Sequence, residues 1–254
     1  MNCDVEVSSR IVARKARPTI RMRGGSVGRG SCPTTSSLRI PLAALGSFMG
    51  LSLFAAETVE LKLEFPPPLV ISTPAPIKVP HLEQSGRKPP KIMVPADVTN
   101  VAAGKSVLAS DPYPILGEPD FITDGDKESE DGYYVEFEPG LQWAQIDLEA
   151  AHEIHAIALW HYHIQKRAYN DVIVQVSDDP EFATGVITLF NNDHDDSAGM
   201  GRGADPAYIE TNRGRLIPVH KITGRYVRCY SNGNSTDDLN HLVEIEVFGR
   251  SADS

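Results

Sequence analysis

The sequence predicts an all-β sandwich or barrel from about Asp97 to Gly249, and three observations carry that prediction. Short runs rich in β-branched and aromatic residues recur through this region, DG, DP, NG and GR pairs punctuate them, and no stretch holds a convincing helical period. Many short strands separated by turn residues bury their apolar faces most readily by stacking two sheets or closing one.

In chain order the runs are YYVEF (Tyr133–Phe137), QWAQIDL (Gln142–Leu148), EIHAIALWHYH (Glu153–His163) and DVIVQVS (Asp171–Ser177). VITLF (Val186–Phe190), RLIPV (Arg215–Val219), RYVRCYS (Arg225–Ser231) and LVEIEVFG (Leu242–Gly249) complete the set. In EIHAIALWHYH, strand alternation places Ile154, Ala156, Ala158, Trp160 and Tyr162 on one face, and His155, Ile157, Leu159, His161 and His163 on the other. A strand so apolar on both faces is expected to lie centrally, covered on both sides.

What precedes this region divides in two. Between Ile40 and Ala56 runs IPLAALGSFMGLSLFAA, uncharged, preceded by Arg39 and ending in two alanines. A basic flank, a short apolar core and small residues are the parts of a secretory signal peptide. A membrane span needs about 20 apolar residues, and Gly46, Ser47, Gly50 and Ser52 interrupt this one. Residues 1–56 are thus expected to be a leader, directing the rest out of the cell, into a periplasm or to the cell surface. Residues 57–96 form a Pro-rich segment: nine of the nineteen prolines fall between Phe65 and Ala96, so it should be extended, as a tether or as a strip laid over the domain. The β-domain is expected over residues 97–250.

Charge narrows the partners. Eight Lys or Arg precede residue 40, leaving 16 basic against 32 acidic residues in the rest, a formal net charge of −16. Phosphate backbones and anionic membrane surfaces both require concentrated Lys and Arg, so nucleic acid is disfavoured, as is an anionic membrane surface. Beyond the leader, which holds Cys3 and Cys32, Cys229 stands alone, and an internal disulfide is impossible there. Stability must come from a core.

Six blocks, in order, carry a family resemblance: NVAAGKSVLAS (Asn100–Ser110), FITDGDKES (Phe121–Ser129), LQWAQIDLEAAHEIHAIAL, DVIVQVSDDPEF, GRYVRCY and VEIEVFG. Together they resemble the discoidin, or coagulation factor 5/8 type C, domain, a galactose-binding-like jelly roll related to carbohydrate-binding modules. The resemblance implies a binding module, not a catalyst, with loops at one end holding sugars, phospholipid headgroups or protein partners. It also implies a structural Ca²⁺. Carried over by position, Asp124 gives a carboxylate, Phe121 and Asp126 give main-chain carbonyls, and Ser129 stands where the family has threonine. Glu244 gives the last carboxylate, with the Val243 carbonyl beside it. Six to eight hard oxygens suit Ca²⁺. The sequence departs from the family after this loop, where Asp131 stands near the place of a tryptophan.

A sugar site needs an aromatic face and planar polar groups for the hydroxyls. Within the expected loops, His161, Tyr162, His163 and Arg167 supply these types, as do Asn191, Asn192 and His194 and, further on, Asn232 and Asn234. Two other function classes use the same segments. A metal-dependent hydrolase would join His161 and His163 to NNDHDD (Asn191–Asp196), since an H-x-H pair chelates a transition metal when a third ligand arrives. An extracellular protein-interaction module would turn the same loops toward a partner. The crowding of Asp193, His194, Asp195 and Asp196 calls for either a cation, such as a second Ca²⁺, or a hydrogen-bond network. GMGRGAD lacks the lysine and helix of a phosphate loop, and no Ser-His-Asp spacing is recognisable.

Overall fold

The computed structural model describes residues 57–69, 76–84 and 90–252. The leader, with its apolar segment 40–56, lies outside the described residues, as do parts of the Pro-rich stretch. Ten strands follow in order: β1 (Thr58–Glu60), β2 (Met93–Pro95), β3 (Thr99–Asn100), β4 (Val107–Ala109), β5 (Val135–Phe137), β6 (Gln142–His161), β7 (Ile173–Ser177), β8 (Ile187–Asn191), β9 (Arg215–Ser231) and β10 (Asn240–Ser251). One 3-10 turn covers Pro119–Thr123.

Two pairs of expected strands are single long ones. QWAQIDL and EIHAIALWH are one strand, β6, and RLIPV and RYVRCYS are another, β9; both bend midway. The bends are marked by positive φ at Glu149 (67°) and Lys221 (49°) and by register shifts between Asp147 and His152. Both halves of β6 feed one core: Ala144, Ile146 and Leu148 from the first, Ile154, Ile157 and Leu159 from the second. Val227 and Cys229 join Ile217 and Val219 there from the two halves of β9. A strand whose halves face each other across a core has folded over, and the architecture is an antiparallel sandwich. One layer runs β4, first half of β6, second half of β9, β7, β8; the other runs β3, β10, second half of β6, first half of β9, with β5 on β10. The all-β class stands as the sequence predicts.

A second irregularity, where Ile154 and Ala156 pair with the adjacent Gly249 and Phe248 of β10, makes His155 an extra residue in β6 and swaps its faces. Ile154 therefore joins Ile157 and Leu159 inside rather than Trp160 outside. The outer face of Ala156, Ala158 and Trp160 is also covered. Leu61, Leu63, Ile92 and Val98 from the N-terminal segment pack against it, with β1 and β2 paired antiparallel. The described parts of residues 57–96 thus lie on the sandwich, which accounts for a β6 apolar on both faces. Further along the segment, the Glu83 N–H donates to the Ala207 carbonyl (2.8 Å), and Glu83 pairs with Arg215 (2.8 Å).

Trp160 is fully buried, and its indole N–H donates to the Asn212 carbonyl. Gly214 lies against it at φ +61°, where an added Cβ would sit 2.6 Å from Trp160 Cε2 and 2.7 Å from the Leu159 carbonyl oxygen. Gly214→Ala is therefore expected to destabilise the fold by about 2–4 kcal/mol, through overpacking and the unfavourable φ together. Urea denaturation would measure this as a lowered midpoint with an unchanged slope.

Because β6 and β9 bend at one end, their termini collect at the other. The connections 162–172, 192–214 and 232–239 therefore converge at a single loop end of the sandwich.

Candidate functional site

At that end the sequence-identified residues sort into a buried brace, a largely buried aromatic cluster and an open cleft. His161, at the end of β6, is wholly buried, and its Nδ1 lies 3.1 Å from a carboxylate oxygen of Glu210, itself 1% exposed. The ring stacks on Tyr169 at 4.2 Å between centroids. His163 lies beyond the strand, with Nε2 2.9 Å from the Lys127 carbonyl. The two histidines thus go to different partners. Asn191 and Asn234 are also buried braces: Asn191 donates to the Gly201 carbonyl and accepts from Asp193 N–H, while Asn234 donates to Asp237 and accepts from Thr236 N–H. Short polar side chains of this kind hold loops by substituting for backbone partners.

Tyr162 and Arg167 meet, in company the sequence did not announce. The guanidinium lies 4.7 Å over the Tyr162 ring, pairs with Asp237 at 3.2 Å and donates to the Gln165 side-chain carbonyl at 3.1 Å. Tyr134 meets Tyr162 edge-on at 5.1 Å. His241 sits between the Tyr169 hydroxyl and a Glu136 carboxylate oxygen, each 3.1 Å away. Burial, helped by the Arg167 charge, pushes the His241 pKa down to about 4. At neutral pH the imidazole is uncharged, so Nε2–H donates to Glu136 and Nδ1 accepts from Tyr169.

The cleft, about 480 Å³, lies alongside, in the range of small-ligand sites. Three loops build it: Tyr169, Asn170 and Asp171 from the β6–β7 connection, Asn192, His194, Asp195, Ser197 and Ala207 after β8, and Asn232 after β9. Its remaining wall is Val79, Pro80 and His81 of the Pro-rich segment. Asn192 fixes the loops, accepting from Val172 N–H at 2.7 Å. Asn232 donates to an Asp171 carboxylate oxygen at 2.8 Å, and the Ser197 hydroxyl donates to the same oxygen at 2.9 Å. Zipper contacts hold the first and third loops together: Asn170 N–H donates to the Gly233 carbonyl and Asn232 N–H to the Asn170 carbonyl.

Ligand oxygens of Asp171, Asp193 and Asp195 lie within 4.8 Å of one another. The crowding has its own network. Buried Asp193 accepts from the N–H groups of Ser197 and Ala198, and hydrogen bonding from Ser197 holds the Asp195 carboxyl below the usual range. Among the described residues this is the grouping of His, Cys and acidic ligand atoms close enough for one ion, and it contains neither His161 nor His163. The hydrolase arrangement expected of HYH with NNDHDD is therefore not assembled.

The loop 121–129 packs against β10. Gly125 N–H donates to one Glu244 oxygen at 3.1 Å, while the other, Oε1, is buried without a hydrogen-bond partner. Ser129 Oγ is likewise buried and unpartnered. Burial pushes the Glu244 carboxyl up to about 9, with Glu246 and Asp124 adding to the shift, and it also raises the Asp124 carboxyl. Phe121 and Asp126 lie in this loop and Val243 beside Glu244. A loop oxygen of Ser129 and a strand oxygen of Glu244 are thus both buried without a hydrogen-bond partner where the loop meets β10.

No family model and no curated protein matches the chain. Solved structures do. A chitosan-binding module from the chitosanase/glucanase of Paenibacillus sp. IK-5 is 21% identical, with a TM-score of 0.42 over 59% of this chain and 98% of that one. A Clostridium perfringens family 32 carbohydrate-binding module, solved with GlcNAc-α-1,4-galactose, is 20% identical, with a TM-score of 0.42 over 61% and 96%. A fucolectin from striped bass (Morone saxatilis) serum is 20% identical, with a TM-score of 0.43 over 61% and 50%. These neighbours have galactose-binding-like, discoidin-type folds.

Proposed function

We propose that the chain is an exported, non-catalytic carbohydrate-binding module that holds a sugar in the loop-end cleft, with a structural Ca²⁺ under the adjoining loop. The carrying observation is the convergence of Asn170, Asp171, His194, Asp195 and Asn232, from three separate loops, on one cleft. Carboxylates, amides and imidazoles are the groups that bond sugar hydroxyls in fixed directions. The zipper between the first and third loops pre-forms the site, so little ordering is needed on binding. Export rests on the pattern of residues 40–56 alone.

Charge sets the sugar class. Asp171 and Asp195 line the cleft with Asp193 close by, and no Lys or Arg is among the described residues that line it. Such a field disfavours uronic and sialic acids and suits a neutral or amine-bearing sugar. For calcium, the orphaned Glu244 Oε1 and Ser129 Oγ support Asp124, Asp126, Phe121, Ser129, Val243 and Glu244 as its holders. The ion would tie the 121–129 loop to β10, next to the Lys127 carbonyl that His163 contacts.

A glycan array probed in the presence of Ca²⁺ tests the reading. Neutral or amine-bearing glycans should bind and uronates should not. Asn232→Ala and His194→Ala should each weaken binding more than tenfold, about 1.4 kcal/mol, without comparable loss of stability. Silence across the array would reject carbohydrate binding and turn attention to a protein partner.

A further inference from the structure

The Pro-rich segment supplies a wall of the cleft that no loop of the sandwich provides, and the backbone there is under tension. His81 adopts φ +54°, the left-handed region that an L-residue with a Cβ enters at an energetic penalty. Its ring lies on His194, with centroids 3.9 Å apart and planes inclined by 34°. Residues immediately after it are clamped: Leu82 bridges Ala207 in parallel, Glu83 N–H donates to the Ala207 carbonyl, and Glu83 pairs with Arg215. The clamp fixes the segment against the same connection that carries His194. Held this way, Val79, Pro80 and His81 line the cleft together with Asn170, Asp171 and Asn232. His194 Nε2 is buried and has no hydrogen-bond partner, so the stacked pair has polar capacity that the fold itself does not use. Backbone strain in a residue that contributes no core packing is hard to account for by stability.

We infer that His81 is a specificity-determining residue of the sugar site, and that the segment 76–84 is a working part of the binding surface rather than a spacer. The inference rests on the carbohydrate reading of the cleft. The stacked imidazoles offer a flat ring face for the apolar side of a hexose and ring nitrogens for its hydroxyls, in the cleft that Asp171 and Asp195 also line. A module cut to residues 97–250 would keep its loops and lose this wall.

The test uses the full chain with Ca²⁺ and three probes: methyl galactoside, glucosamine and N-acetylglucosamine. Each is titrated while the imidazole Cε1–H signals of His81 and His194 are followed by NMR. At least one probe should move both signals together. His81→Ala should then weaken that probe fivefold or more. His81→Gly is the sharper variant, because glycine accepts φ +54° freely: the melting temperature should hold or rise while affinity falls as for alanine. A residue present only to hold the segment down would lower the melting temperature in both variants and leave affinity alone, and that result overturns the inference. Sugar bound with equal affinity by the wild type and both His81 variants, but lost in His194→Ala, removes the wall and keeps the site. Failure of the wild type to bind any of the three, with silence across the glycan array, removes the carbohydrate reading and the inference with it.

Discussion

Returning Ca²⁺ to the chelator-treated protein, at about a hundredfold above its dissociation constant, raises the melting temperature by roughly 5–10 °C, and Asp124→Ala abolishes the response. The size follows from linkage: an ion bound only by the folded state adds about 2.7 kcal/mol at that concentration, and each kcal/mol shifts a domain of this size by about 2–4 °C. The effect has a pH signature. Without the ion the Glu244 carboxyl has a pKa of about 9 in the folded chain against an ordinary 4.5. Between those values the folded state keeps a proton that the unfolded state has released, so Glu244 makes stability fall as pH rises through this window and level off above 9. Calcium must displace that proton. Binding at pH 7 should therefore release close to one proton, measured by calorimetry in buffers of different ionisation enthalpy, and the gain in stability should grow toward pH 9. A melting curve indifferent to chelation would reject the calcium assignment.

Glu210→Ala should cost about 3–5 kcal/mol, enough to unfold much of the population at modest urea. Its carboxylate oxygen Oε2 lies 3.1 Å from His161 Nδ1 and accepts more weakly from the His161 N–H at 3.4 Å, and the Thr211 N–H bonds to Oε1. Removing one member of a buried pair strands the other without water. Replacing both, as His161→Leu with Glu210→Leu, should recover part of the loss, since the imidazole is then no longer stranded, while the backbone N–H groups of His161 and Thr211 still lose their acceptor. A single variant as stable as the wild type would show that the pair does not brace the loop end. It would also free His161 for another role.

The fold was legible in the chain because its strands carry their signal locally. Val, Ile and aromatic residues between turn formers mark β7, β8 and β10 within a residue or two of their observed limits. The bends were not legible. Glu149 and Lys221 read as ordinary turn residues, yet each sits inside a continuous strand at positive φ, and the extra residue near His155 reverses the faces of β6. Backbone conformations of this kind are set by the packing of one layer on the other, which no local pattern records. The same holds for the site. Asn192, His194 and Asn232 stood out as loop residues with the right chemistry and do line the cleft, while Asp171 was hidden as the first residue of a strand-like run. His81 gave no signal within its prolines, and only the clamp at Ala207 and Arg215 brings it to His194. His161 and His163 invited a metal reading by spacing alone. Burial sends one to Glu210 and the other to a main-chain carbonyl.

The claim that a sugar sits in the cleft is tested most directly by mapping a bound one. With ¹⁵N-labelled protein and Ca²⁺, titration with a glycan selected on the array should shift the side-chain amides of Asn170, Asn192 and Asn232 and the backbone from His194 to Ser197. Shifts confined to the Tyr162 and Arg167 cluster, or to the outer face of either sheet, with the Asn232 and His194 signals unmoved, would contradict it.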